Sequence, residues 1–196
     1  SDQAGKSNVL LRLADSGIEV KNDDKRINRL VDDIKAREYQ GYSYDGAEAS
    51  FVILARRALG ELPKFFDIIS FRTEVERRFN ARGDLTTISQ AVIKIDISGK
   101  LTMQVAEGNG PVNALDEALR KALIPQFPEL EGMRLVDFKV RILTPQQATA
   151  AVTRVMIEST DESGERWGTV GISPNIIDAA YAALEDAIIY KLLGGG

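Results

Sequence analysis

Apolar residues recur along the chain at two different periods, and the change of period divides it. Up to Pro63 the helical spacing dominates. Ser7 is placed to cap a short apolar helix over residues 8–15, with Gly17 as its stop. Asp23 and Asp24 open a second helix, whose Ile27, Leu30, Val31 and Ile34 follow the helical period until Gly41. A third is predicted over 47–59, with Phe51, Leu54, Ala55 and Ala58 as its apolar stripe, and Leu62-Pro63 breaks the pattern.

From Phe65 the period shortens to two. Residues 65–79 read as a half-buried strand in which Ile69, Phe71, Thr73 and Val75 alternate with Ser70, Arg72, Glu74 and Glu76. Residues 86–97 alternate again, and Ser98-Gly99 turns the chain into a third strand over 101–106. Gly108-Asn109-Gly110-Pro111 then introduces a helix carrying Val112, Leu115, Leu119 and Leu123 on one side.

The same order follows a second time. Strands are predicted over 135–143, 148–159 and 166–172, with Asp161 to Gly164 as the turn between the last two. Gly171-Ile172-Ser173-Pro174 leads into a helix with Ile177, Tyr181, Leu184, Ile188 and Leu192 on its apolar side. Strand, strand, strand, Gly-x-x-Pro, helix is therefore an internal repeat. The fold class this predicts is α+β: a helical subdomain at 1–63, then a pseudo-twofold βββα-βββα body at 64–196, its repeats at about 64–124 and 133–193. The seam between such halves is a natural place for a dimer contact and a small-ligand cavity.

Composition narrows the chemistry. The 196 residues include neither cysteine nor histidine. That removes disulfides, thiolate nucleophiles, Cys/His zinc sites and imidazole bases together. Asp116-Glu117 and Asp161-Glu162 are adjacent acids, but neighbours on a helix or strand point apart, so neither is a convincing acid/base pair. A net charge of −4 without a basic stripe argues against nucleic acid. No apolar run is long enough for a membrane span and no secretory pattern opens the sequence, which with the missing cysteine fits a cytoplasmic address.

Gly108-Asn109-Gly110-Pro111-Val112-Asn113-Ala114 resembles a signature of the regulatory domain of the 2-isopropylmalate and citramalate synthases. The stretches from Arg154 and from Arg166 to Ala180 resemble that domain's second repeat. Ala4 to Asn8 and Gly46 to Phe51 resemble the linker that follows the family's catalytic barrel. The strand from Leu135 and the closing Tyr190-Lys191-Leu192 look closer to the citramalate branch. The resemblance implies a homodimer that binds a branched-chain amino acid, isoleucine or leucine, as feedback inhibitor of an acetyl-CoA-dependent acyltransferase of branched-chain amino acid biosynthesis. It implies no catalytic residue, cofactor or metal in this chain. The divalent metal is expected in the catalytic barrel, and Ser1 opening mid-motif is read as a cut.

By the same resemblance the effector-binding residues are Val112, Asn113, Leu135, Phe138, Ile142, Ala148, Val152, Pro174 and Ile176. Each also has a plain structural reading. The first corner is what a tight turn into a helix needs, with Gly for the turn and Pro for the helix start. Ser173 or Asn175 can simply cap the second helix. Leu135, Phe138, Ile142, Ala148 and Val152 can be core, and Leu135 and Phe138 differ in strand parity. Where family members often have Asp after the first corner this chain has Asn113, which removes a possible salt bridge to an ammonium. Lys6, Asp45 and Glu48 are linker residues that read as solvated, and Trp167 reads as a packing anchor.

Overall fold

The structure, a computed structural model, describes residues 2–144 and 151–194. In chain order it contains α1 (Asp2–Asp15), α2 (Lys25–Gln40), α3 (Glu48–Ala58), β1 (Asp67–Phe79), β2 (Leu85–Ile97), β3 (Lys100–Gly108) and α4 (Pro111–Leu123). A 3-10 turn at Pro128–Leu130 precedes β4 (Arg134–Leu143), β5 (Val152–Thr160), β6 (Arg166–Ser173) and α5 (Ile176–Leu192). The strands form two three-stranded antiparallel sheets, β1-β2-β3 and β4-β5-β6. This is the α+β, twice-repeated βββα order that the periodicity predicts. Two compact units result. One gathers Ser1–Pro63, Asp137–Glu158 and Trp167–Tyr190, the other Lys64–Val136, Ser159–Arg166 and Lys191–Gly196. No helix among the described residues is long and apolar enough to cross a membrane.

In the first unit the core is built on α1 to α3. Asp24 caps α2 by accepting from the Arg26 amide at 2.9 Å, and Gly41 closes it at φ 110°, a conformation that favours glycine. All four apolar positions read for α2 are buried. Ser7 is not a cap: α1 starts at Asp2 and runs through it. Gly5 explains the extension, because a β-carbon there would stand 3.8 Å from Val31 and 3.6 Å from Lys35, so the added turn lies against α2. Phe51 is fully buried, edge-on to Tyr44, and the Arg12 guanidinium covers its ring at 4.3 Å.

The same unit holds a ladder between β6 and α5. Trp167 donates from Nε1 to the Ala187 carbonyl at 3.1 Å, and Thr169 donates from Oγ1 to the Ala183 carbonyl at 2.8 Å. A β-carbon on Gly171 would overlap the Ala179 carbonyl. The buried side of α5 is therefore Ala179, Ala180, Ala183, Leu184, Ala187, Ile188 and Ile189. This corrects the face read from the sequence: Ile177, Tyr181 and Leu192 are only half-buried. Close approach of a strand backbone selects small residues, and the larger side chains are displaced to the flanks. Nearby, a β-carbon on Gly168 would overlap the Gly46 carbonyl, so the loop before α3 touches β6 backbone to backbone.

In the second unit β1 to β3 form an antiparallel meander, with Ser98 and Gly99 at positive φ in the β2–β3 turn. Ala91, Ile93, Ile95 and Ile97 of β2 are buried on the face toward α4, whose Leu115, Leu119 and Leu123 are fully buried. The alternation read for β1 fails at Ile69 and at Val75, which are 54% and 56% exposed. The β1–β2 register shifts between Ile68 and Ser70, and that bulge turns Ile69 out of phase. On the other face of the sheet, Leu101, Met103 and Val105 stand exposed along β3, with Val105 opposite Val92.

Candidate functional site

The two Gly-x-x-Pro corners have the same outline and different chemistry. At the first, Gly110 is the N-cap of α4 in extended backbone and makes no side-chain cap hydrogen bond, and Pro111 takes the first helical position. The amides of Val112 and Asn113 follow in the first turn, where helix N–H groups have no intrahelical acceptor. The Asn113 side chain turns back instead, its Oδ1 accepting from the Asn109 amide at 3.1 Å. A β-carbon on Gly108 would stand 2.5 Å from Asn113 Oδ1 and from the Ala114 nitrogen. Close approach, not φ, makes Gly108 necessary.

At the second corner the first turn is already closed. Asn175 Oδ1 accepts from the Ile177 amide at 2.8 Å and the Asp178 amide at 3.2 Å. Ser173 Oγ accepts from the Asn175 amide at 3.1 Å. The capping reading therefore holds for α5. Only the α4 corner leaves its helix start without a side-chain cap, and a helix start of that kind favours a carboxylate.

The other predicted site residues divide between the units. Val112 is half-buried and Asn113 exposed on α4, and Leu135 is half-buried near the start of β4. In the other unit Phe138 is half-buried, while Ile142, Pro174 and Ile176 are exposed, Ile142 at 74%. Val152 is half-buried beside Gly41. Ala148 lies outside the described residues.

The charged candidates have structural partners. Asp116 is buried, which raises its pKa against the pull of Arg120 at 2.9 Å, and Arg120 also bonds the Met133 carbonyl and Glu117. Asp161 accepts from Lys191 and Ser163, which hold its carboxyl down at about 2. Glu48 pairs with Arg12 at 2.8 Å. Among the described residues no three acidic side chains gather as a metal site. Trp167, 5% exposed, is a packing anchor.

One constellation escaped the sequence reading. Ser50, buried in α3, donates to Asp186 of α5 at 2.8 Å and accepts from the Val170 amide of β6 at 2.9 Å. The available signal was Asp186 itself, a carboxylate one residue from the alanine face of a helix.

Residues 45–192 match the LeuA allosteric (dimerisation) domain, and the chain belongs to that family. Among curated proteins it is 47% identical over 192 residues to the (R)-citramalate synthase of Geobacter sulfurreducens, covering 98% of this chain and 36% of that protein. It is 41% identical over 193 residues to the (R)-citramalate synthase of Aquifex aeolicus, with 98% and 36% covered. To the 2-isopropylmalate synthase of Aquifex aeolicus it is 30% identical over 110 residues, 56% of this chain and 19% of that protein. The chain thus spans about a third of the length of the citramalate synthases it matches.

Proposed function

We propose that the chain is the regulatory and dimerisation region of an acetyl-CoA-dependent 2-oxo acid acyltransferase of the citramalate synthase type, and that isoleucine is its feedback inhibitor. The catalytic barrel and its divalent metal belong to the remaining length seen in the relatives, and residues 1–63 act as the linker to it. The observation that carries the effector reading is the α4 corner, where Val112 and Asn113 present first-turn amides and no side chain caps them. An amino acid carboxylate fits that start, and the half-buried Leu135 supplies apolar contact within the same unit. The homodimer reading draws on the exposed Leu101, Met103 and Val105 of β3, since contiguous exposed apolar side chains mark interaction surfaces.

A leucine-binding relative of the 2-isopropylmalate type is the neighbouring reading. A second rests on Asn113: its neutral side chain, already accepting from the Asn109 amide, offers an ammonium no charge, which favours a dimerisation module without a ligand. Calorimetry of the dimeric protein with isoleucine, leucine and valine decides among them. Saturable heat with isoleucine strongest is expected, and silence from all three leaves the dimerisation module.

A further inference from the structure

The helical unit contains a cavity of about 160 Å³ that none of the preceding assignments uses. It is walled by α2, the loop after it, α3, β6 and α5, all within one unit. Its lining is polar. Two guanidiniums reach it from different helices, Arg37 on α2 and Arg57 on α3. Arg37 is held in place by the Tyr42 ring, 5.3 Å away, and by a hydrogen bond with Tyr44. Among the described residues no ion pair neutralises either arginine. The acids present are Glu185 and Asp186, both on α5.

Asp186 is a weak counter-ion below neutral pH. One of its oxygens is occupied by the Ser50 hydroxyl at 2.8 Å, which fixes the carboxyl at the inner end, beside β6. Burial pushes its pKa up to about 7, against the pull of Ser50, Arg57 and Arg37. Two cations then face one fixed carboxylate, Glu185, and one carboxyl that carries a proton below neutrality. The net charge of the walls is positive, and Arg37, Arg57 and the protonated Asp186 have hydrogens to donate. Planar guanidinium forks paired with an acid O–H match an oxyanion. A volume of about 160 Å³ is room for a small oxyanion.

We propose that this cavity is a binding site for a small oxyanion, a carboxylate or phosphate group, held by Arg37 and Arg57 with Asp186 at its inner end. The site shares no residue with the α4 corner, so it stands or falls independently of the effector reading. Affinity falls as pH rises through neutrality, because ionised Asp186 both loses its donor and repels the anion.

The test is calorimetric titration of the full chain with acetate and with phosphate at pH 6, ionic strength balanced by chloride. Saturable binding of at least one is expected; acetate alone assigns a carboxylate ligand, phosphate alone a phosphate group. Arg57→Gln, at an exposed position that leaves folding intact by circular dichroism, should weaken binding about tenfold or more, the scale of one charge-assisted contact. A pH series from 6 to 8 with acetate, or with sulfate if only phosphate binds, should show weakening in the native chain and a flat profile in Asp186→Asn. The proposal is overturned if neither anion competes with chloride, if Arg57→Gln and Arg37→Gln bind like the native chain (an adventitious ion only), or if the native affinity does not change with pH.

Discussion

The Thr169 hydroxyl donates to the Ala183 carbonyl at 2.8 Å, in the middle of α5. It is the central rung of three, between Trp167 with Ala187 and Gly171 against Ala179. The spacing is a match of pitches. Two strand residues advance about 6.6 Å and four helix residues about 6.0 Å, so every second residue of β6 meets every fourth of α5.

Substitutions on the ladder should separate its two parts. Thr169→Val keeps the shape and leaves Ala183 its helical hydrogen bond, so it should cost about 1 kcal/mol or less. Gly171→Ala must push two backbones apart and should cost about 1–3 kcal/mol. Urea denaturation midpoints give both values, and equal stability for Gly171→Ala and the native chain would remove the ladder from the account.

Ser50→Ala strips the partner from two groups at once, the Val170 amide and the Asp186 carboxyl. An expected loss of about 1–3 kcal/mol follows from leaving buried groups unpaired. Hydrogen exchange at the Val170 amide localises the effect: protection there should drop more than at Ile93 in the other unit.

Asp186 sets one pH dependence. Its carboxyl holds a proton more tightly folded, at about 7, than an unfolded aspartate does at about 3.9. Between those values the folded chain binds more protons, so stability falls as pH rises from about 4 to 7. Asp186→Asn should flatten most of that slope in thermal melts, with a remainder from Asp116, shifted in the same direction.

Asp161 acts with the opposite sign. Lys191 and Ser163 hold it at about 2, so its contribution is complete above the unfolded value and is lost as pH falls from about 4 toward 2. Lys191→Met should lower stability at pH 7 and make acid unfolding shallower in that window. An unchanged acid limb in Lys191→Met would show that the ion pair contributes nothing.

Asn175→Ala removes the side chain that closes the first turn of α5, a loss of about 1 kcal/mol. Gly110→Ser at the other corner tests the converse. A hydroxyl placed to cap α4 should compete with a bound carboxylate and weaken the effector heat, if isoleucine binds there. Calorimetry of the two variants side by side reads both effects.

Much of this architecture was legible because large apolar residues keep time with the element that carries them. Ile27, Leu30, Val31 and Ile34 marked α2 with its cap, and the alternation over 86–97 marked β2. The reading failed where the partner decides. Alanine contributes little to a periodicity, so the face of α5 went to its larger residues until β6 showed why small ones are needed. Ile69 alternates in the sequence and is turned out by a bulge that depends on pairing with β2. Glycine–proline corners were visible in both repeats, but only geometry shows that Asn175 closes one while Asn113 folds back and leaves the other uncapped. Ser50 and Asp186 are 136 residues apart, a distance over which no local pattern speaks.

Where the Gly46 carbonyl meets Gly168 there is no side chain on either partner to yield. Any gain of bulk at position 168 must be answered by moving the main chain rather than by choosing another rotamer. The joint therefore has no intermediate settings: drift at that position is closed to gradual steps, and the strand and the loop are inherited as a single fitted piece.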